Sequence, residues 1–319
     1  MAINLNSLRL FTAVAEHRGF TAAGRHLRVS QPAISKAVRQ LEGQLGTQLL
    51  VRTARGVTLT EEGTVLLAHA QVLFGEERAA EEALAERRGL SRGSLRLGSS
   101  MTVASNFLPP VLGAFHTRHP AIELTLVAAN TRAVLEALLA NTVELGVVEG
   151  PVSHPRVEVS PWLEDELVAV AAPGHPLAQV RRLSAARLFQ ELFLIREEGA
   201  GTRDVVLAAL RNRQVTPARL FEISENEVIK QLAAAGVGFT ILSRLAVQKE
   251  IARGELATLS VDDLVLRRTL TWLQVKGRRP TAAMTEFRSL ATGPFRPSLE
   301  SLPQKSVLRT PAPRRPKTS

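Results

Sequence analysis

Two textures meet near Arg92-Gly-Ser, and that junction restricts the chain to at least two kinds of folded unit. Before it, apolar residues recur at helical spacing: Leu5, Leu8, Phe11 and Ala15, with Val14 on the same face. After it, short apolar runs alternate with helical stretches, the pattern of α/β units with mostly parallel sheets. Arg92-Gly-Ser carries the breaker expected at a boundary. At roughly 150 residues per domain, a chain of 319 residues accommodates two or three such units.

In the helical part, Gly19 ends a first helix over 5–17, and Thr21 is expected to N-cap a second over 22–27. Ser30 is expected to cap a third, with Gln31 and Pro32 in its first turn, where a proline costs little. This helix runs through Ile34, Val38 and Leu41 to about Gly43. The stretches 49–52 and 53–59 read as two short strands around a turn, a wing. A long helix starts at Thr60, with Glu61 and Glu62 favourable in its first turn. Its seam of Leu66, Ala70, Leu73, Ala80 and Leu84, interrupted by Glu77, fits a short coiled coil. The same seam fits an amphipathic helix lying on its own domain.

Beyond the junction, strands are expected over 94–98, 123–128, 143–148, 166–171, 192–196, 219–223, 239–242 and 270–275. Helices are expected over 106–116, 132–140, 203–211 and 227–235. Gly236-Val-Gly-Phe lies after a helix and before a strand, the reverse of a dinucleotide-binding loop, so it reads as a tight turn.

Charge is distributed unevenly within the net +10. Residues 1–60 hold eight Lys/Arg against two Asp/Glu, residues 61–88 three against seven, and residues 296–319 six against one. A basic head on a nearly neutral body predicts a local contact with a polyanion. No apolar run approaches the ~20 residues that span a bilayer, and the N-terminus has no basic patch followed by an apolar core. A cytoplasmic protein with no membrane partner is expected. With no cysteine and seven scattered histidines, no disulfide, metal or cofactor is expected.

Three helices, a tight turn before the third and a basic wing fit a winged helix-turn-helix. The third helix offers Gln31, Ser35, Lys36 and Arg39 to base edges; Gln pairs with adenine and Lys reaches guanine acceptors. Arg52 and Arg55 on the wing suit phosphates or a minor groove. A three-helix bundle used for protein contacts is the plainer alternative.

The stretch Phe11-Thr-Ala-Val-Ala-Glu, Gly19-Phe20-Thr-Ala-Ala-Gly, Leu27-Arg-Val-Ser-Gln-Pro-Ala-Ile-Ser-Lys-Ala-Val-Arg-Gln-Leu-Glu, Leu49-Leu-Val-Arg and Leu59-Thr resembles the LysR-type transcriptional regulators. Ser30-Gln-Pro-Ala-Ile-Ser is its most specific part. Leu50 stands where the family usually has phenylalanine. The resemblance carries Gln31, Pro32, Ser35, Lys36, Arg52 and Arg55 over as DNA contacts. It implies a homodimer through the linker helix, assembled as a homotetramer on promoter DNA with half-sites about 10 bp or multiples apart, and RNA polymerase as a further partner.

The resemblance runs to about residue 292 and implies a DNA-binding head over 1–59, a linker helix over 60–91 and an α/β two-lobed sensor, like a periplasmic-binding protein, over 92–292. Lobe one would be 93–161 with 268–292, and lobe two 162–267; 293–319 would be a disordered basic tail. In such a sensor a small anionic metabolite meets strand ends and helix N-termini between the lobes. Ser99, Ser100 and Thr102 in one lobe, and Gly199, Gly201, Thr202 and Arg203 in the other, have that context; ordinary loop and N-cap chemistry is the alternative. Glu149 ends a strand near the crossover, where it either orders the hinge or contacts a ligand. The stretches Leu145-Gly-Val-Val-Glu-Gly and Pro173-Gly-His-Pro-Leu-Ala are similar to regulators of carbon fixation and sulfur assimilation. Two departures stand out: Ala200 replaces a common serine, and Glu198 puts a negative charge where a proline is common.

An enzyme is not expected, because nucleophile elbows, His-Glu-Xaa-Xaa-His and P-loops are absent. A solute-binding protein would have no use for residues 1–60, and a nucleoid-type DNA-binding protein without effector control would have none for residues 93–292.

Overall fold

The computed structural model describes residues 2–53, 56–86, 93–293, 295 and 296. The wing tip with Arg55, the segment holding Arg92 and the tail beyond residue 296 lie outside the described residues.

The head opens with α1 (Leu5–Glu16), capped by the Asn4 side chain, which accepts from the Ser7 N–H. Helix α2 (Phe20–Leu27) starts earlier than the Thr21 cap predicts: Gly19 is the N-cap, and Thr21 lies in the first turn. The expectation fails because an extended glycine already frees the helix start without a side-chain acceptor. Helix α3 (Gln31–Leu45) begins at Ser30, whose hydroxyl makes no capping bond, and ends at the left-handed Gly46, beyond the expected stop at Gly43. Glycine at position 43 interrupts neither the helical hydrogen bonds nor the packing, since nothing lies within 4 Å of its missing side chain.

The wing is β1 (Leu50–Thr53) paired antiparallel with β2 (Gly56–Leu59). The Glu42 carboxylate anchors its root by accepting from the backbone N–H of Leu49 and Leu50. Helix α4 (Glu61–Glu86) follows, with Thr60 Oγ1 accepting from the Gly63 N–H. Its seam divides. Ala70 and Phe74 join Phe11, Val14, Ile34, Val38, Leu41 and Leu50 in the head core, whereas Val65, Leu73 and Leu84 remain exposed. Glu77 pairs with Arg9 of α1 at 2.5 Å.

The sensor runs β3 (Gly93–Ser100), α5 (Met101–Asn106), α6 (Pro109–Arg118), β4 (Ile122–Ala129), α7 (Thr131–Leu139), β5 (Leu145–Glu149) and β6 (Val157–Ala171). A 3-10 turn and α8 (Ala185–Leu188) lead to β7 (Leu192–Arg196), α9 (Gly201–Arg211), β8 (Arg219–Ile223), α10 (Asn226–Ala234), β9 (Phe239–Ser243) and α11 (Arg244–Ala252). The described elements close with β10 (Ala257–Leu259), β11 (Leu266–Val275) and α12 (Ala282–Thr292). The helix expected over 106–116 starts at Pro109 as α6, because Pro109 and Pro110 suit a first turn, and the unexpected α5 ends before it at Asn106.

One mixed nine-stranded sheet, rather than two mostly parallel groups, runs through both lobes in the order β4-β3-β5-β11-β6-β9-β7-β8, with β10 on β6. The outer βα units are parallel, and β6 with β11 form a long antiparallel ribbon between them. This ribbon connects the two lobes. On β6, Trp162 and Leu163 pack in one core and Leu167 in the next; on β11, Leu266 and Leu270 make the opposite crossing. Between them, Asp165 and Arg268 are cross-strand partners. Both are buried, and Arg268 Nε and Nη2 lie 2.8 Å from Asp165 Oδ2.

Burial raises the Asp165 carboxyl above the usual range, against the opposing pull of Arg268 and the Ser243 hydroxyl. A raised folded value means that its protonated form is the one the fold favours, so its contribution fades as pH rises through that value. Removing one partner of a buried pair strands the other charge. Arg268→Met is therefore expected to cost about 3–5 kcal/mol, and adding Asp165→Asn recovers part of that loss. Urea denaturation followed by tryptophan fluorescence reads this directly, because Trp162 and Trp272 both lie in the lobe-one core.

Candidate functional site

Two sites emerge, one on the head and one between the lobes. On α3, Gln31 is half-buried, Pro32, Lys36 and Arg39 are exposed, and Ser35 is buried against the wing. The Ser35 hydroxyl accepts from Arg52 Nη2 at 3.2 Å and from Arg39 Nη2 at 3.5 Å, while Arg39 Nε donates to the Ser35 carbonyl. The Arg52 guanidinium also stacks 4.6 Å from the centre of the Phe20 ring. Ser35 is thus a post that aims two arginines rather than a group facing outward. Between α3 and β1 a groove of about 820 Å³ is lined by Gln31, Pro32, Ser35, Arg39, Gln48 and Arg52. A cationic groove beside an exposed helix N-terminus is the shape and charge a nucleic-acid backbone requires. Arg55 lies outside the described residues.

Between the lobes, Ser100, Glu149, Thr202, Arg268 and Asp165 form one buried network. The Ser100 hydroxyl donates to Glu149 Oε2, and Thr202 donates to Glu149 Oε1 at 3.4 Å. Arg268 Nη1 donates to Thr202 Oγ1 at 2.7 Å and lies 3.7 Å from Glu149 Oε1. The Glu149 carbonyl accepts from Thr131 Oγ1 and sits so close to Gly201 that any side chain there would meet it at 1.9 Å. Ser99 is buried, with its hydroxyl donating to the Ser100 carbonyl. Thr102 accepts from Asn226 of lobe two at 3.3 Å.

A second set of contacts closes the rim. Gly199, at φ +89°, accepts through its carbonyl from the Arg132 N–H. Asn130 donates to Glu197, and Arg132 pairs with Glu198 at 2.9 Å. Arg196, 3 % exposed, grips Glu197 through Nε and Nη2 and Asn226 through Nη1. Burial alone would raise the Glu197 carboxyl, but the hydrogen bonds and charge of Arg196, with Asn130, hold it below the usual range. Arg203 is not brought to this cluster: its guanidinium turns back to the Arg196 carbonyl and to Glu222 on β8.

Arg268, Asp165, Arg196, Asn226, Asn130 and Thr131 were not anticipated from the sequence. A charged residue on the apolar face of a strand was the available signal: Leu266, Arg268, Leu270 and Trp272 alternate on β11, as Leu163, Asp165 and Leu167 do on β6.

Residues 5–64 match the description "Bacterial regulatory helix-turn-helix protein, lysR family", and residues 88–293 match "LysR substrate binding domain". The chain belongs to the LysR family. It is 35% identical over 288 residues to a RuBisCO operon transcriptional regulator of Allochromatium vinosum, covering 90% of this chain and 95% of that relative. Its sensor is 29% identical to the CcmR regulatory domain of Synechocystis solved in complex with 2-PG, with a TM-score of 0.59 over 64% of this chain and 99% of that one. Full-length OxyR of Pseudomonas aeruginosa shares the fold, at 22% identity and a TM-score of 0.72 over 91% of this chain and 95% of that one. This LysR-family protein is a DNA-binding transcriptional regulator with an effector-binding domain, not an enzyme.

The Ser35 post makes a sharp expectation. Ser35→Ala removes the acceptor shared by Arg39 and Arg52 while leaving the apolar head core intact, so DNA affinity falls about fivefold, near 1 kcal/mol. Fluorescence anisotropy on a labelled promoter fragment measures it, and thermal unfolding of the head should be unchanged.

Proposed function

We propose that this regulator reads promoter DNA with α3, dimerises through α4 and answers to a small anionic metabolite that binds between its sensor lobes. The observation that carries the DNA reading is the fixing of two arginines, Arg39 and Arg52, on Ser35 along one groove that Gln31 and Pro32 also line. Gln31, Pro32 and Lys36 face base edges, and Arg39, Arg52 and Arg55 hold the sugar-phosphate backbone. The exposed Val65, Leu73 and Leu84 on α4 support a homodimer, since a second helix packed there would take this apolar surface out of water. Pairing of such dimers into a tetramer, contact with RNA polymerase and work in the cytoplasm complete the reading. Among the described residues no helix is long and apolar enough to cross a membrane.

Support for the effector comes from Ser99, Ser100, Thr102, Glu149, Gly199 and Thr202 converging where the lobes meet. The CcmR domain, related over this region, was solved with 2-PG. An effector acts by favouring one arrangement of the lobes, and the paired heads follow. Footprints of apo and effector-saturated protein that agree in extent and bend would overturn this mechanism.

Mutations separate the roles. Lys36→Ala is expected to weaken operator binding by about 1–3 kcal/mol and random-DNA binding less; Arg52→Ala weakens both alike and lowers the salt slope by about 1. Competition gel shifts over a salt series read both quantities, and equal losses for the two variants on every sequence would contradict the division. Leu84→Glu places a charge in the α4 stripe and shifts the protein toward monomer in sedimentation velocity, with DNA affinity falling as the paired heads separate.

A further inference from the structure

The interlobe rim already holds an anion, and it belongs to the protein. Arg196 at the end of β7 is buried, and its guanidinium makes two hydrogen bonds, at 2.7 and 3.0 Å, to the carboxylate of its own neighbour, Glu197. The third arm is satisfied by Asn226 at 2.8 Å, which in turn donates to Thr102 of lobe one. The same Glu197 carboxylate accepts from Asn130 of lobe one at 3.2 Å. One carboxylate is therefore bound by a buried arginine of one lobe and an N-cap amide of the other. These are the groups that recognise a carboxylate or phosphate of a ligand.

The geometry points to Glu197 as a tethered pseudo-ligand that occupies the anion subsite formed by Arg196, Asn226 and Asn130, and that an anionic effector must displace. This rests on the anionic-effector reading and adds how that site is regulated. Displacement exchanges one charge-assisted pair for another, so the net binding energy is small and the tether sets the threshold. The Glu197 carboxylate is 21% exposed, so it can swing into water and hydrate while the incoming anion takes the two Arg196 hydrogen bonds. The apparent dissociation constant is the intrinsic one divided by the fraction of time that Arg196 is free. A single removed charge should then tighten binding sharply.

The test uses the full chain and isothermal titration calorimetry with inorganic phosphate, sulfate and 2-PG at fixed ionic strength. Glu197→Gln preserves size and the Asn130 contact while removing the competing charge. It is expected to bind at least one of the three anions about tenfold or more tighter than the unmodified protein. Glu191→Gln, on the Arg187 pair before the start of β7 and so at the strand's other end from Arg196, is the matched control and should change affinity little. If Glu197→Gln and the unmodified protein bind an anion equally well, or the variant binds more weakly, the pseudo-ligand inference is overturned and the anionic-effector reading survives. If neither protein binds any of the three anions, both fall. Thermal unfolding of the apo variant verifies that it is folded.

Discussion

The pair of Asp165 and Arg268 is the constraint on which the sensor turns. Two lobes are joined by a long antiparallel ribbon whose backbone pairing sets the register, and a buried ion pair at the crossing adds directional contacts that apolar side chains would not make. A buried carboxylate and guanidinium in cross-strand register admit far fewer arrangements, since each unmade hydrogen bond there costs the full desolvation of its group. Thr202 from α9 and Glu149 from β5 attach to the same arginine, so the end of one lobe and the start of the other are referred to one point. The absent side chain at Gly201 lets the backbones meet there.

The head follows the same logic on a smaller scale. Ser35 sits on the inward face of α3, and its single hydroxyl holds two arginines that the chain places 13 residues apart, one on the helix and one on the wing. Ordering long side chains before DNA arrives lowers the entropy lost on binding. Lys36, next in sequence, is on the outward face and exposed. Helical geometry decides these contrary roles for adjacent residues, through a rotation of about 100° per residue.

This contrast explains what could be read from the sequence. Helix α3, the wing, and strands β7 and β8 were legible because apolar periodicity and punctuation by Gly, Pro and Ser are local properties. The roles of Ser35 and Arg203 were not, since a small polar or long basic residue near a helix start suits a ligand, a cap or a neighbouring strand equally. Arg203 found Glu222 across the parallel β7–β8 pair, a partner fixed only by the fold. Asp165 and Arg268 stand 103 positions apart, and their register depends on how β6 and β11 cross. Nothing short of the sheet order brings them together. The long ribbon also defeated the expectation of mostly parallel strands, because its two members each read locally as ordinary short strands.

Helix α7 ties these sites to the DNA-binding half. Asn130 caps its N-terminus and donates to Glu197 of lobe two. Just past its C-terminus, Asn141 packs against Gly75 of the linker helix so closely that a side chain there would meet Asn141 at 2.8 Å. Arg278, buried beside them, donates both to Asn141 Oδ1 and to the Gly75 carbonyl. Within two residues of that contact on α4, Phe74 lies under Arg9 of α1 and Glu77 pairs with it. Nine residues of helix span about 14 Å at 1.5 Å per residue. Coupling requires an element that both sites bias, and α7 has one end in the interlobe rim and the other on the helix that carries the head.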